Sequence, residues 1–231
     1  MSILRDTQER IWRAVKSASL PVYLVGGTAL AFRYDHRESE DLDFFCQPKH
    51  WSRSLHQKVA AHITKATKFR QVSLREAKGA SMVGMAHYEF QAAKPLVIKV
   101  DIVQDFDRLL HPVAEDGIAS ADDLYLRKVR AAIGWGPKET IIGRSVSGGR
   151  QAEKDLYDLW WLSTHYQELH TWFPRHFQFA DYTRFVQWSR GVTAGHRTVM
   201  GLLRITPQPD VRMIRAHMDR QAELLNRRFM P

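Results

Sequence analysis

The sequence predicts an α+β protein, in which a mixed sheet flanked by helices is followed by a helical C-terminal half. Two observations lead to this fold class. Short apolar runs rich in β-branched residues recur up to about residue 110, as they do in strands. From residue 121 onward, apolar residues recur mostly at helical spacing. The predicted division is an α/β core over residues 1–112 and a helical region over residues 113–231.

In the first half, helical and extended patterns alternate. One apolar stripe over residues 3–17 predicts a helix, and the apolar run 22–25 predicts a strand. Gly26 and Gly27 interrupt this strand, and the chain resumes as a helix over residues 29–33. The remaining predicted elements of this half are a strand at 42–46, a helix at 50–66, and strands at 69–74, 81–90 and 96–103.

The second half is predicted to be helical throughout, apart from one long connection. Residues 134–150 contain five glycines and a proline, which predicts a loop or hinge. The predicted helices lie at residues 121–133, 151–166, 181–190 and 210–228.

The net charge of the chain indicates which classes of partner it favours. Its 231 residues carry a formal net charge of +9, with 34 Lys and Arg against 25 Asp and Glu. A basic surface favours nucleotides or RNA, although the same charge also suits a soluble protein without an anionic partner. No apolar run could cross a bilayer and the N-terminus does not resemble a signal peptide, so a cytoplasmic protein with no membrane partner is expected. The single cysteine, Cys46, excludes an internal disulfide.

A predicted strand runs into Gly26, Gly27 and Thr28, where a helix begins. The free N–H groups at a helix N-terminus can cradle a phosphate, and glycine allows close approach to the backbone. Thr28 adds a hydroxyl donor. The alternative is a simple strand–turn–helix junction in which Thr28 is only a cap.

Three aspartates lie in strand-like runs. Asp41 and Asp43 alternate, so they point to one face of a sheet, where their repulsion would be relieved by a divalent cation. Asp101 stands alone in an apolar strand and needs a partner, which could be this cation or a core arginine. Three carboxylates would support two-metal phosphoryl transfer, with Asp101 as a possible base for the attacking hydroxyl. For Asp41 and Asp43 the alternative is a solvated edge strand, which the apolar residues that follow disfavour.

The order Gly-Gly-Thr, Asp-Leu-Asp and a later strand aspartate resembles the DNA polymerase β-type nucleotidyltransferases. More narrowly, residues 26–33 together with residues 36–45 are similar to the AbiEii/AbiGii toxin family, the nucleotidyltransferase toxins of bacterial abortive-infection toxin–antitoxin pairs. Residues 121–128 resemble the family's helix with a catalytic lysine, and residues 153–159 resemble its Arg-Asp-x-x-Asp-Leu helix. Two features depart from the pattern. Lys154 stands where arginine is usual, and residues 134–150 lengthen the gap before it.

The resemblance implies a nucleotidyltransferase-type fold, with the helical region completing the active-site cleft. It also implies an NTP substrate, Mg²⁺ or Mn²⁺ as cofactor, a cognate antitoxin, and tRNA or another RNA as a possible acceptor. The implied site residues are Gly26, Gly27 and Thr28 for the triphosphate; Asp41, Asp43 and Asp101 for metal and catalysis; Lys128 for catalysis and phosphate charge; Asp155 for catalysis; and Lys154 and Asp158 for the nucleotide.

Other interpretations stay open at this point. Lys128 could be a solvated helix lysine, and Asp155 and Asp158 could be first-turn carboxylates favoured by the helix dipole. Small-molecule nucleotidyltransferases of the aminoglycoside type share the core motif, although the basic second half argues against a cationic acceptor. A non-catalytic nucleotide- or RNA-binding module is disfavoured because all three carboxylates are present.

Overall fold

The computed structural model describes residues 2–76, 84–134 and 152–230. The strands are β1 (Tyr23–Val25), β2 (Asp41–Cys46), β3 (Arg70–Glu76), β4 (Met85–Ala93) and β5 (Leu96–Gln104). The helices are α1 (Ile3–Ser17), α2 (Gly26–Tyr34), α3 (Arg53–Thr67), α4 (Ala121–Ile133), α5 (Ala152–His165), α6 (Leu169–Trp172), α7 (Phe179–Ala194), α8 (His196–Leu202) and α9 (Val211–Phe229).

The predicted α+β fold class is confirmed, and each predicted strand and helix has a counterpart. The helix predicted from residue 50 begins only at Arg53, because Pro48–His50 form a separate 3-10 turn and the Ser52 hydroxyl caps Leu55 N–H at 3.1 Å. Helices α6 and α8 were not predicted. The loop predicted at 134–150 and the strand start predicted at 81–83 lie outside the described residues, apart from Gly134.

The five strands form one mixed sheet in the order β1-β2-β5-β4-β3. Only β2 and β5 pair in parallel, while the other neighbours are antiparallel. One face is apolar and buried, and it is lined by Leu24, Leu42, Phe44, Ile98, Val100, Ile102, Tyr88 and Phe90. Helices α1 and α3 cover this face, where His56 of α3 bonds the Tyr88 hydroxyl at 2.7 Å. The opposite face carries the charged residues of β2 and β5.

Side-chain caps set several helix starts. The Ser120 hydroxyl accepts from Asp123 N–H at 3.0 Å, and the Asp123 carboxylate accepts from the Leu110 and His111 N–H groups. The Asp210 carboxylate accepts from two N–H groups of the first turn of α9. Such caps satisfy donors that have no partner within the helix, and each stabilises its helix by about 1 kcal/mol.

Contacts divide the chain into two compact units. The first contains residues 1–34 and 39–124, and the second contains Asp35–Glu38 and residues 125–231. These units are clusters of contacts, so the domain division predicted at residue 112 stays a prediction. In the second unit, α5 to α9 pack around aromatic residues such as Trp172, which stacks on Tyr125 with ring centroids 4.2 Å apart. Among residues 2–76, 84–134 and 152–230, no helix has the length and hydrophobicity of a membrane-spanning segment.

Candidate active site

The charged face of the sheet places two of the predicted carboxylates side by side. In the β2–β5 pairing, Asp43 lies directly opposite Asp101. On the other side of Asp101, β4 places His87 opposite it, and the Nδ1 atom of His87 bonds the Asp101 carboxylate. Asp101 is 4% exposed, so this pairing supplies the partner that a buried carboxylate needs.

Asp41 lies two residues before Asp43 on the same strand. The burial of β2 alternates, with Leu42, Phe44 and Cys46 buried and the aspartates half-exposed. Asp41 and Asp43 therefore share the charged face, as side chains two residues apart on a strand do. The residue opposite Asp41 on β5 is Lys99, which is exposed.

Gly26 lets the Asp43 carboxylate lie against the start of α2. Gly26 has φ +75°, in the left-handed region that disfavours side chains, and it begins the helix. A Cβ atom placed there would lie 2.2 Å from Asp43 Oδ2. The carboxylate therefore occupies the space that any other residue type would fill, beside the positive end of the helix dipole.

A Gly26→Ala variant is expected to lose at least about 1–3 kcal/mol of unfolding free energy from the strained φ alone. The contact with Asp43 adds to this cost and pushes its carboxylate aside. Urea unfolding followed by circular dichroism would measure the loss. Gly191→Ala is the matched control, because Gly191 lies in α7, where an added Cβ would meet no atom within 4 Å, and should gain about 0.5–1 kcal/mol. Equal stability of the two variants would contradict the prediction.

Thr28 is fully buried, and its hydroxyl donates to the Asp41 backbone carbonyl. This bond ties α2 to β2 and uses the donor that was expected to hold a phosphate. The first N–H groups of α2, from Gly26 to Thr28, have no partner within the helix. If a triphosphate binds here, we therefore expect it to bind the backbone rather than the Thr28 hydroxyl.

The donor chemistry of Asp41, Asp43 and Asp101 suits a hard divalent cation, since Mg²⁺ prefers carboxylate oxygens together with substrate phosphates. Two of the three are paired in register and all three lie on one face. Within residues 2–76, 84–134 and 152–230, however, no three His, Cys, Asp or Glu side chains form a ready metal-binding group. Asp101 is instead bonded to His87, and Asp43 lies against Gly26.

The second unit holds a separate cluster of buried charges, centred on Asp158 of α5. The Lys128 ammonium of α4 lies 2.8 Å from Asp155 Oδ1 and 2.7 Å from Asp158 Oδ2. Arg37 grips Asp158 with two nitrogens, Nε at 2.7 Å from Oδ1 and Nη2 at 2.8 Å from Oδ2. His36 Nε2 lies 2.7 Å from Asp158 Oδ1. Asp158 has no exposed surface, so its carboxylate is enclosed by these three partners.

Burial and close opposite charges shift the pKa values of this cluster. Burial by itself raises the pKa of Asp158, but the charges of Arg37 and Lys128 hold that pKa well below its usual range. Burial by itself lowers the pKa of Lys128, but Asp155 and Asp158 together raise it above its usual value. Burial raises the pKa of Asp155, against the attraction of Lys128. Lys128 and Arg37 thus stay charged at neutral pH.

The sequence predicted that Asp158 contacts the nucleotide. Its carboxylate instead holds Lys128 and Arg37 in place, so a positioning role fits the structure better. Lys154 is half-buried on the same helix. The roles predicted for Lys128, Lys154, Asp155 and Gly27 stay predictions.

Three residues of these two clusters were not assigned a role from the sequence: His36, Arg37 and His87. Arg37 and Asp158 are 121 residues apart in the chain, and His87 reaches Asp101 only through the pairing of β4 with β5. One signal was available, because a buried aspartate in an apolar strand requires a partner. A metal or an arginine was the expected partner of Asp101, and the structure supplies a histidine.

Comparisons with known proteins bear on this geometry. Residues 10–224 match the family profile described as the nucleotidyl transferase AbiEii toxin of a type IV toxin–antitoxin system. The uncharacterized protein aq_aa25 of Aquifex aeolicus (strain VF5) is 27% identical over 143 residues, which cover 61% of this chain and 56% of that protein.

Two solved structures from Helicobacter pylori resemble the fold. One is described as a proposed nucleotidyltransferase and superposes with a TM-score of 0.63 at 20% identity, over 99% of this chain and 97% of the other. The second, JHP933, has a TM-score of 0.62 at 19% identity, over 99% and 94% of the two chains. At this level of identity the likeness concerns the fold.

Proposed function

Because the chain belongs to the AbiEii nucleotidyltransferase toxin family, we propose that it transfers a nucleoside monophosphate from an NTP to an acceptor hydroxyl. The new bond joins the acceptor oxygen to the α-phosphorus, the bond from that phosphorus to the bridging oxygen breaks, and pyrophosphate leaves. The observation that carries the proposal is the shared face of Asp41, Asp43 and Asp101, beside the N-terminus of α2.

The NTP and the acceptor hydroxyl would bind at different positions on the charged face. The backbone N–H groups at the start of α2 would bind the triphosphate, close to Asp43, whose carboxylate lies against Gly26. Asp101, one strand further from α2, would accept the proton of the attacking hydroxyl. His87 would keep the Asp101 carboxylate in one orientation through its Nδ1 contact.

A divalent cation, Mg²⁺ or Mn²⁺, fits the carboxylates of Asp41, Asp43 and Asp101. When bound, it would neutralise triphosphate charge and favour attack at the α-phosphorus. The resemblance assigns Lys128 the neutralisation of phosphate charge, and within the second unit Asp155 and Asp158 would set its position.

The test is a transfer assay with the full chain. Purified protein is incubated with Mg²⁺, each labelled NTP in turn and total tRNA, beside an Asp41→Ala, Asp43→Ala double variant. Label on RNA with the wild type alone is expected, and it would also identify the nucleotide. If no acceptor among RNA, protein and an added aminoglycoside is labelled while NTP still binds, the chain is a binding module and the enzymatic proposal is wrong.

Membership of this family also supports a toxin role, which would require an antitoxin partner. We expect induced expression in a bacterial host to arrest growth, because transfer onto a common acceptor removes that acceptor from use. The same double variant, expressed at an equal level, should not arrest growth. Arrest by both proteins would show that the effect does not come from transfer, and growth with both would argue against toxicity in that host.

A further inference from the structure

The charged face of the sheet continues past the carboxylates to the β3 edge, and its chemistry changes on the way. In the row that contains Asp43 and Asp101, the next positions are His87 on β4 and Arg75 on β3. The adjacent row places Lys99 opposite Asp41 on one side and opposite Glu89 on the other. Negative side chains thus dominate at β2, and positive ones dominate toward β3.

A third cation extends this surface. Arg70 of β3 lies opposite Gln91 of β4, on the same face as Arg75, and its Nη2 atom donates to Gln91 Oε1 at 2.7 Å. Arg70, Arg75 and Lys99 are all exposed. Glu89 is the acidic residue within this group, and it lies 3.5 Å from Arg75. Within this group the three cations outnumber Glu89, and Asp41 borders the group beside Lys99.

The spacing suits a polyanion that ends at Asp101. Arg75 lies two strands from Asp101, which is about 10 Å at the usual strand separation. Lys99 lies two residues from Asp101 along β5, about 7 Å away, on the same face. Helix α2 contacts β1 and β2, so its N–H groups lie on the β1–β2 side of the carboxylates, and the three cations lie on the other side, toward β4 and β3.

From this arrangement we propose that the surface formed by Lys99, Arg75 and Arg70 binds the phosphates next to the 3′-terminal hydroxyl of an RNA acceptor. A polyanionic backbone gains from each exposed cation that replaces a condensed counterion. A polycationic acceptor of the aminoglycoside type would be repelled by the same three side chains. The inference rests on the proposed function for the reaction at Asp101, but the binding itself does not require transfer.

The test measures binding without NTP, so that it is independent of catalysis. A fluorescein-labelled single-stranded RNA is titrated with the wild type and with a Lys99→Gln, Arg75→Gln double variant, and anisotropy is recorded at several salt concentrations. We expect the affinity at low salt to fall by about 10-fold or more. The negative slope of log K against log salt should become shallower by about 1.4 for two lost contacts.

The matched control is Lys58→Gln, Lys65→Gln. Both lysines are exposed on α3, which covers the opposite face of the sheet, and the change in net charge is the same. The control should bind RNA nearly as the wild type does. An equal loss of affinity in both variants would mean that only the net charge matters. Unchanged binding by the Lys99→Gln, Arg75→Gln variant would mean that the RNA binds elsewhere. Either result overturns the proposal.

The two proposals can fail separately. If RNA binding depends on Lys99 and Arg75 but no NTP gives transfer, the surface is confirmed and the proposed reaction is wrong. If transfer to RNA occurs with an unchanged KM for RNA in the double variant, the reaction is confirmed and the surface is wrong.

Discussion

An Asp101→Asn variant is expected to lose about 10²- to 10⁴-fold in kcat, which is the usual contribution of a positioned base. The amide has nearly the same shape as the carboxylate but cannot accept the hydroxyl proton, and it weakens cation binding. At saturating Mg²⁺ the KM for NTP should change little, because the backbone groups at the start of α2 lie beside Asp43 rather than Asp101. Single-turnover transfer at saturating NTP would separate the two quantities.

The control for this prediction is Asp105→Asn, four residues further along the chain. Asp105 is also buried, at 1% exposure, but it accepts a hydrogen bond from the Tyr23 hydroxyl and caps Asp107 N–H at 3.0 Å. We expect this variant to lose stability and keep its kcat, because these bonds hold the chain after β5 in place. If Asp105→Asn lowers kcat as much as Asp101→Asn does, the loss comes from a distorted sheet and the role of Asp101 is refuted.

Local patterns predicted much of the fold. The alternation of β2 placed Asp41 and Asp43 on one face, and the two glycines marked the change from β1 to α2. These features depend on residues that are close in sequence, where side-chain periodicity and backbone freedom act directly. Helices α6 and α8, with 4 and 7 residues, are too short for a helical period to become visible.

The chemistry between distant segments could not be predicted in the same way. Periodicity says which face a residue takes, but it does not say which strand will pair with it. The pairing of Asp43 with Asp101 depends on β2 and β5 being neighbours, and the His87 contact depends on β4 lying next. The two hydrogen bonds from the Arg37 guanidinium to the Asp158 carboxylate join a loop before β2 to the middle of α5. No local preference encodes that contact.

Loss of the Asp158 charge should destabilise the second unit more than any other single change considered. Asp158→Asn leaves two buried cations, Arg37 and Lys128, without their shared carboxylate, and breaking a buried ion pair on one side costs about 3–5 kcal/mol. Chemical unfolding at pH 7 would measure it. Asp219→Asn, at an exposed position of α9, is the matched control and should change the free energy of unfolding by less than about 0.5 kcal/mol.

The loss of unfolding free energy caused by Asp158→Asn should depend on pH in a defined direction. The pKa of Asp158 is lowered in the folded state, so its ionised form stabilises the fold above the unfolded pKa of about 3.9. As the pH falls from about 5 through the folded pKa, the wild type loses this contribution and the variant has none to lose. The difference in unfolding free energy between Asp158→Asn and the wild type should therefore be full at neutral pH and shrink in acid. A difference that stays constant down to the acid-unfolding limit would mean that the variant is destabilised by altered packing, and that Asp158 does not hold Arg37 and Lys128 through its charge.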